Sequence, residues 1–476
     1  MKHMGNASLV WFRRDFRILD HEALRAACAN GKFVTALYVD EIEYSARRRL
    51  GGASRWWLYH SLKALRTSLA DLNIKLVLKR GDPTVLIANT ATEIGARNVY
   101  CSAIDEPAEI ELTQQVTQSL QRDGCTLKVF SSSLLRPPSS IRNKQGNGYK
   151  VFTPYWNIWR TFSPPAPLPQ PVPVAVSKTN CVSEDLDTWG LLPTNPDWAS
   201  GLRQNWQPGS LGACKMLEIF VQNILGRYQV ARDFPGLTGT TRLSAHLHFG
   251  EITARQIWHA AQKAAASQND VKLENDAWSI IRQLCWRDFN HDLLARFPNM
   301  NERNINTKFD AFPWQSDPIA LAQWQNGETG YPIVDAGMRE LWSTGWMHNR
   351  VRMIVASFLV KHLLIHWRAG ENWFWDTLVD ADFANNAANW QWVAGSGADA
   401  APYFRIFNPI LQGEKFDPNG DYVRKWVPER AQLPNKLIHK PNAKQAGLLQ
   451  ENYPAAMIEH RFARKRALEA FASLKK

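Results

Sequence analysis

The sequence has few cysteines and no long hydrophobic run, and both absences narrow the class of protein. No apolar stretch approaches the roughly 20 residues that a membrane-spanning helix requires. The first residues lack the apolar core and small-residue cleavage site of a secretory signal. The 6 cysteines include no CxxC pair, which is typical of free thiols in a reducing compartment. We therefore expect a cytoplasmic protein that makes no membrane contact.

Two cofactor-binding patterns are also missing. All 6 cysteines precede Trp286, which excludes a four-cysteine iron–sulfur cluster in the second half of the chain. No GxGxxG motif follows the first predicted strand, so the N-terminal region is not a standard dinucleotide site. A light-independent flavin oxidoreductase would need such a motif, and its absence argues against that class. No metal site is expected.

Positive charge and tryptophan are present in excess. A net charge of +12 and a pI near 9.4 favour a polyanionic partner, although charge alone is weak support for nucleic acid. Of the 21 tryptophans, 11 fall between Trp278 and Trp392. Leu and Val fill a core without an indole N–H that must find a partner. This density indicates a site that stacks flat rings, moves electrons or holds an unstacked base.

The hydrophobic pattern divides the chain into three parts. Over residues 1–135, short apolar runs alternate with amphipathic segments, which predicts an α/β domain with a doubly wound parallel sheet. Residues 136–207 indicate a long interdomain linker, proline-rich over 163–176. Residues 208–476 predict an all-α domain, because helical periodicity is interrupted only by short Pro, Gly and Asn breaks. The predicted strands are ASLVWF, KFVTALYV, IKLVLKRG, ARNVYCS and CTLKVFS.

Long ordered motifs carry a resemblance that covers nearly the whole chain. They are LVWFRRDFRILDHEAL at 9–24, GYPIVDAGMRELWSTGWMHNRVRM at 330–353, DADFANNAANWQW at 380–392 and FNPILQGEKFDPNGDYVRKWVPE at 407–429. The sequence resembles the photolyase/cryptochrome family, and most of all class I cyclobutane pyrimidine dimer photolyases. The resemblance implies that residues 208–476 bind FAD and catalyse light-driven DNA repair.

A cluster of hydroxyl side chains is the first part of the implied flavin site. Thr238, Thr240, Thr241 and Ser244 lie in RDFPGLTGTTRLSAHLHFGEIT at 232–253, where hydroxyls and backbone N–H groups at a helix start suit phosphate oxygens. Taken alone, such a cluster is more often an ordinary helix cap. The resemblance places it against the flavin pyrophosphate. The implied cofactor-binding residues are Tyr228, Thr240, Thr241, Arg242, Leu243, Ser244, Asn349, Arg352, Asp380, Asp382 and Asn386.

The resemblance also assigns the electron-transfer and substrate residues. Asn386 stands where dimer photolyases carry Asn beside flavin N5, and this supports repair chemistry. Trp390, Trp367 and Trp314 match a chain that photoreduces the flavin, although any single one is more often a core residue. The implied residues for UV-damaged DNA are Arg232, Gln283, Trp286, Arg287, Asn349, Arg350, Met353 and Trp392. Asn349-Arg350 stands where (6-4) photolyases carry a His pair, which disfavours (6-4) repair.

Gln283 departs from the pattern of dimer photolyases, which carry Glu at this position to bond the thymine carbonyls. An amide still donates to a carbonyl oxygen but lends no proton, so binding should survive and the repair yield should fall. Gln283 therefore keeps open an alternative, a cryptochrome-like blue-light photoreceptor with weak or no repair. Glu106 matches an acid that holds a folate antenna in part of the family, or it simply begins a helix; a deazaflavin, another flavin or no antenna is also possible. A monomer is expected.

Overall fold

The computed structural model describes residues 7–41, 48–131, 133–177, 181–268, 270–400, 404–441 and 453–474. An N-terminal α/β unit is followed by a mostly irregular segment and then by a helical unit. Among the described residues, no helix is long and apolar enough to span a bilayer.

A five-stranded parallel sheet forms the core of the N-terminal unit. Its strands are β1 (Ala7–Phe12), β2 (Phe33–Asp40), β3 (Lys75–Arg80), β4 (Ala96–Ser102) and β5 (Thr126–Phe130). They lie side by side in the order β3-β2-β1-β4-β5, and all paired strands are parallel. Successive β1 residues alternate between two cores, with Val10 and Phe12 on one face and Leu9 and Trp11 on the other. The predicted doubly wound sheet and its five strands are confirmed.

Four helices cover the two faces of this sheet. They are α1 (Glu22–Asn30), α2 (Gly52–Ala70), α3 (Pro83–Ile94) and α4 (Pro107–Arg122). Buried residues of α1 and α2 pack on one face, and those of α3 and α4 pack on the other. Each sheet face is apolar, so both must be covered, as expected for parallel strands.

Among its described residues, the segment predicted as a linker contains two α-helices, and the first of them packs into the helical unit. This helix, α5 (Phe152–Trp159), places Phe152, Tyr155 and Trp159 in the same core as Phe289 and Leu293. The aromatic side chains in α5 explain this packing, because each removes a large apolar area from water when buried. Part of the segment between the two units therefore belongs to the hydrophobic core of the helical unit.

The helical prediction for the second half is also confirmed. The remaining helices are α6 (Ser200–Asn205), α7 (Ser210–Ile219), α8 (Tyr228–Ala231), α9 (Ser244–His248), α10 (Ala254–Gln268), α11 (Val271–Arg296), α12 (Pro318–Asn326), α13 (Pro332–Thr344), α14 (Asn349–Ser357), α15 (Trp367–Thr377), α16 (Phe383–Ala394), α17 (Pro409–Phe416), α18 (Asp421–Trp426), α19 (Asn435–Ile438) and α20 (His460–Ser473). Short π-helices at Phe220–Ile224 and Phe358–His362 extend α7 and α14. Two large buried clusters lie on either side of α16.

Candidate functional site

A cavity of about 620 Å³ opens in the helical unit between α11, α14 and α16. Most of the residues that the sequence assigns to flavin or lesion binding line it. They are Arg232, Gln283, Trp286, Arg287, Asn349, Arg350, Arg352, Met353, Asp380, Asp382, Asn386, Trp390 and Trp392. Residues from distant parts of the sequence therefore share one space.

Two helix starts aim polar groups at this cavity. The His348 side chain caps α14 by accepting from the backbone N–H of Arg350 at 3.2 Å, which directs Asn349 and Arg352 along the cavity wall. The Asp382 carboxylate caps α16 by accepting from the backbone N–H of Asn385 at 2.8 Å. Both caps satisfy N–H groups that would otherwise be unpaired.

The Asp382 carboxylate is buried and faces two histidine rings. Its Oδ2 lies 3.7 Å from Nδ1 of His248 and 3.5 Å from Nε2 of His291. Burial raises the pKa of this carboxyl, but the charges and hydrogen bonds of His291 and His248 outweigh burial and hold the pKa well below its usual range. Asp382 is therefore a fixed negative charge at the base of the cavity.

Arg352 and Asp380 form a second charged pair on the wall. Arg352 donates to Asp380 Oδ2 at 2.8 Å and, through Nε, to the carbonyl oxygen of Met347 at 2.7 Å. Asp380 Oδ1 is buried and lacks a hydrogen-bond partner within the described part of the chain. A buried acceptor of this kind needs a donor, and a ligand in the cavity could supply one. The Arg352 guanidinium is thus held in one orientation, and Asp380 Oδ1 remains able to accept a hydrogen bond from a ligand.

Asn386 lies on the same wall and is held by α15. Its amide donates to Glu371 Oε1 at 2.7 Å and to the Glu371 carbonyl oxygen at 3.0 Å. Glu371 is itself paired with Arg48 of the N-terminal unit at 2.6 Å. Both amide hydrogens are used, so the amide oxygen is the group left to face the cavity.

The predicted tryptophan series runs from the cavity toward the surface. Trp390 lines the cavity, while Trp367 is fully buried and donates to Asn304 Oδ1 at 2.9 Å. The His366 ring contacts both Trp367 and Trp314, with its centroid 5.5 Å from the Trp367 ring and 5.0 Å from the Trp314 ring. Gly370 lets α15 pack closely on Trp390, because a Cβ there would lie 2.1 Å from the Trp390 ring. Trp314 and Trp367 are thus linked through His366, and the helix that begins at Trp367 packs on Trp390.

The opposite side of the cavity is built from indoles and amides. Trp286 stacks on Phe152 with ring centroids 3.6 Å apart and a 5° angle between the planes. The indole N–H of Trp392 donates to the carbonyl oxygen of Asp399 at 3.0 Å. Gln283 accepts from Arg232 at 3.1 Å. These contacts hold flat surfaces and hydrogen-bonding groups at the cavity mouth.

Two of the arginines predicted to hold phosphates already have protein partners. Arg287 donates to the carbonyl oxygen and the hydroxyl of Ser133, at 3.0 and 2.7 Å. Arg350 is paired with Asp233 at 2.7 Å and lies over the Phe416 ring at 4.2 Å. Both line the cavity, so they shape its rim as well as carrying charge.

The predicted pyrophosphate segment lies outside the lining of this cavity, as do Trp314 and Trp367. Its threonines precede α9, whose first residue is Ser244, and Thr241 Oγ1 accepts from the backbone N–H of Leu243 at 3.2 Å. Tyr228 begins α8 and is buried, whereas Thr240 is half-buried and Ser244 is exposed. Gly239 lets the segment turn against α8, because a Cβ there would lie 2.3 Å from the Ala231 carbonyl oxygen.

Arg242 belongs to the same segment and packs on two indoles. Its guanidinium lies over the rings of Trp206 at 4.4 Å and Trp346 at 4.9 Å. Burial lowers its pKa, and the nearby carboxylates of Glu340 and Asp380 oppose that shift. Asp380, one of these two carboxylates, also lines the cavity.

Glu106 lies beside a much smaller cavity. It precedes α4, its carboxylate is 2.7 Å from Arg14, and the adjoining space measures about 40 Å³. Such a volume holds only a few water molecules. The Glu106 carboxylate is therefore held by Arg14, and the space beside it is too small for the ring system of an antenna pigment.

Three residues that shape the large cavity from outside were not predicted from the sequence. Glu371 and Arg48 orient Asn386, and Phe152 supports Trp286. One signal was available for Glu371, because it is a lone acid among the aromatic residues of HWRAGENWFW. A buried acid in such a setting requires a partner.

Comparisons with known proteins place the whole chain among related sequences. Residues 8–173 match a family model described as DNA photolyase, and residues 280–473 match one described as the FAD binding domain of DNA photolyase. A deoxyribodipyrimidine photo-lyase from Agrobacterium fabrum is 47% identical over 98% of both chains. Cryptochrome-1 from Arabidopsis thaliana is 34% identical, over 99% of this chain and 71% of the relative. The crystal structure of a bacterial class III photolyase from Agrobacterium tumefaciens matches with a TM-score of 0.95 and 46% identity, covering 100% and 99% of the two chains.

Proposed function

This chain belongs to the photolyase/cryptochrome family, and within it we propose a light-driven DNA repair lyase that splits cyclobutane pyrimidine dimers in UV-damaged DNA. One observation carries the proposal: all the residues expected at the lesion, and five of those expected at the flavin, line a single cavity of about 620 Å³. A flavin and a pyrimidine dimer held in this cavity would be close enough for direct electron transfer. The class I assignment stays a prediction, since the similar crystal structure is that of a class III photolyase.

The cavity suits the FAD that this family binds. Asp380 Oδ1 is a buried acceptor in need of a donor, and Asn386 presents an amide oxygen. The guanidinium of Arg352 lies on the same wall, where a change of charge on the cofactor would be felt. FAD, when bound and reduced, would supply under blue light the electron that opens the cyclobutane ring and would take that electron back once the ring is split. These three residues would hold it, together with Asp382 and the Thr240–Ser244 segment.

The lesion-side residues suit two adjacent, covalently joined bases of one strand that have left the duplex together. Trp286 and Trp392 offer flat apolar faces, and Met353 adds a polarisable contact. A damaged dinucleotide costs less to unstack than an intact one, so a shaped aromatic pocket selects for damage. Gln283 would donate to a carbonyl oxygen of the dimer, and Arg232 and Arg350 add positive charge at the rim, which favours phosphate contacts.

The tryptophan series would keep the cofactor reduced. Trp314 is partly exposed, Trp367 is buried and Trp390 lines the cavity, so an electron entering at the surface reaches the flavin site through packed rings. Without reduced cofactor, the repair chemistry has no electron to donate.

A blue-light photoreceptor is the second candidate, and Gln283 is the observation that favours it. The similarity to an Arabidopsis cryptochrome, at 34% identity, gives this candidate a place in the same family. Both candidates need the cofactor and the tryptophan series. They differ in whether a bound dimer is split.

The test is to photoreduce the purified protein and assay it, in blue light and in darkness, on oligonucleotides that carry a cyclobutane dimer or a (6-4) photoproduct. Light-dependent loss of the cyclobutane dimer alone is the expected result. Loss of neither lesion, with flavin photoreduction intact, would exclude repair and leave the photoreceptor.

The monomeric state and the second chromophore stay predictions.

A further inference from the structure

The contact between Arg232 and Gln283 fixes which end of the glutamine amide faces the cavity. A guanidinium nitrogen of Arg232 lies 3.1 Å from Gln283 Oε1, and the Arg232 guanidinium also lies over the Tyr228 ring at 5.4 Å. A guanidinium has only donors, so only the amide oxygen can pair with it. Rotating the amide by half a turn would bring an NH₂ group against these donors and break the charged hydrogen bond.

The amide nitrogen has one contact and one hydrogen to spare. Gln283 Nε2 donates to the carbonyl oxygen of Ser279, one turn earlier in α11, at the long distance of 3.3 Å. An amide NH₂ group carries two hydrogens, and the side chain lines the cavity. The group that Gln283 offers to a ligand is therefore an N–H donor.

Asn349 contributes a second amide to the same cavity, but it is not held in this way. It is exposed, and among the described residues its Nδ2 contacts only the weakly accepting sulfur of Met353 at 3.9 Å. Its amide can present either its oxygen or its nitrogen to a ligand. Of these two amides, that of Gln283 is the one that a neighbouring charge fixes in a single orientation.

We propose that Arg232 and Gln283 together make the lesion site selective for the 4-position of the pyrimidine facing them. Thymine and uracil carry a carbonyl oxygen there, which accepts a hydrogen bond, whereas cytosine carries an amino group, which donates. A donor held by Arg232 bonds the first and opposes the second. The cavity thus prefers thymine dimers to dimers with cytosine at the facing position, and Arg232 is the positioning residue. This inference rests on the proposed function, because it takes the dimer as the occupant.

The experiment measures affinity in the dark for oligonucleotides carrying a thymine–thymine, thymine–cytosine or cytosine–thymine cyclobutane dimer. Loss of a hydrogen bond to the dimer should weaken binding of one mixed dimer about tenfold. Arg232→Met should reduce this preference to about onefold, because the amide can then rotate. Arg232→Lys should restore it, since an ammonium group also has only donors.

A double-mutant cycle separates this role from simple phosphate binding. In a Gln283→Met background, Arg232→Met should leave the ratio of affinities unchanged. Arg203→Met is the matched control, because Arg203 is exposed and pairs with Asp197 at 2.5 Å. Equal affinity of the unaltered protein for all dimers overturns the inference. An equal loss for all dimers in Arg232→Met, with the preference kept, overturns it as well.

The same samples keep the two proposals apart. Affinity in the dark needs no ring splitting, so a protein that shows the preference but repairs no dimer in light would contradict only the proposed function. A protein that repairs all three dimers and binds them equally would contradict only the role of Arg232.

Discussion

Asn386 donates both hydrogens of its side-chain amide to Glu371, one to the carboxylate at 2.7 Å and one to the backbone oxygen at 3.0 Å. Arg48, more than 300 residues away in the sequence, holds that carboxylate at 2.6 Å. A residue of the N-terminal unit therefore fixes the direction of an amide in the cavity of the helical unit. The Asn386 oxygen is left to accept a hydrogen bond, and a reduced flavin ring offers an N–H that the oxidised ring lacks.

Glu371→Gln should lower the reduction potential of the bound flavin. A neutral amide accepts a weaker hydrogen bond than a carboxylate, by about 1 kcal/mol, so Asn386 would be held less firmly. If that whole difference reached the cofactor, the two-electron potential would fall by roughly 20 mV. Spectroelectrochemical titration measures the shift, with the exposed Glu414 changed to Gln as control. An unchanged potential would show that Asn386 is oriented without Glu371.

Trp367→Phe should abolish photoreduction of the flavin and leave repair by chemically reduced protein intact. Trp367 is fully buried between the cavity and the partly exposed Trp314, and phenylalanine is much harder to oxidise. Transient absorption and steady-state photoreduction rates measure the first effect, and a dimer assay after dithionite measures the second. Trp258→Phe, in α10, is the matched control. Normal photoreduction of Trp367→Phe would mean that electrons take another route.

Gln283→Glu should raise the yield of ring splitting, and the gain should grow as the pH falls. A protonated carboxyl donates to the dimer carbonyl and can lend its proton, whereas the ionised form does neither. Arg232, at 3.1 Å from the present amide oxygen, favours the ionised form and so lowers the pH at which the gain appears. An interaction of about 1–3 kcal/mol corresponds to one to two orders of magnitude in rate. A yield that is independent of pH would show that another group supplies the proton.

Lys361 should make the protein more stable as the pH rises above neutrality. Burial, helped by the charge of Arg405, lowers its pKa to about 7, against a usual value of 10.5. Between these values the unfolded chain binds a proton that the folded protein does not, so the free energy of unfolding increases with pH through this window. The full effect is several kcal/mol.

Comparing denaturant unfolding of the protein and of Lys361→Met at pH 6.5 and pH 9.5 tests this expectation. Between pH 6.5 and pH 9.5, the free energy of unfolding of the unaltered protein should rise relative to that of Lys361→Met. Lys465→Met, on the exposed side of α20, is the control that should show no such trend. Parallel pH profiles for Lys361→Met and the unaltered protein would contradict the expected shift.

The sequence specified the sheet more fully than it specified the site. Runs such as FVTALYVD are apolar because both sheet faces are covered, so β2 could be found from local pattern alone. Helix α5 could not, since only its packing against Phe289 and Trp286 gives its aromatic residues a reason to be there. The periodicity of a local stretch indicates the secondary structure of that stretch. It does not identify residues distant in the sequence that pack against it.

The same limit applies to the polar contacts. The resemblance placed Asn386, Arg232 and Gln283 in the site, and the cavity brings them together. It did not give the direction of either amide, because that depends on Glu371 and Arg232 as neighbours in space. Contacts such as Arg48 with Glu371 join the two units and leave no trace in the spacing of residues along the chain.

The stack of Phe152 on Trp286 bears on how this molecule can be divided. A fragment that began at residue 208 would keep every residue lining the large cavity but lose the ring lying 3.6 Å behind one of its indoles. Trp286 would then turn one bare face to water and be free to swing. The smallest piece that preserves the aromatic wall therefore has to begin before α5, upstream of the boundary that a division by secondary-structure class would choose.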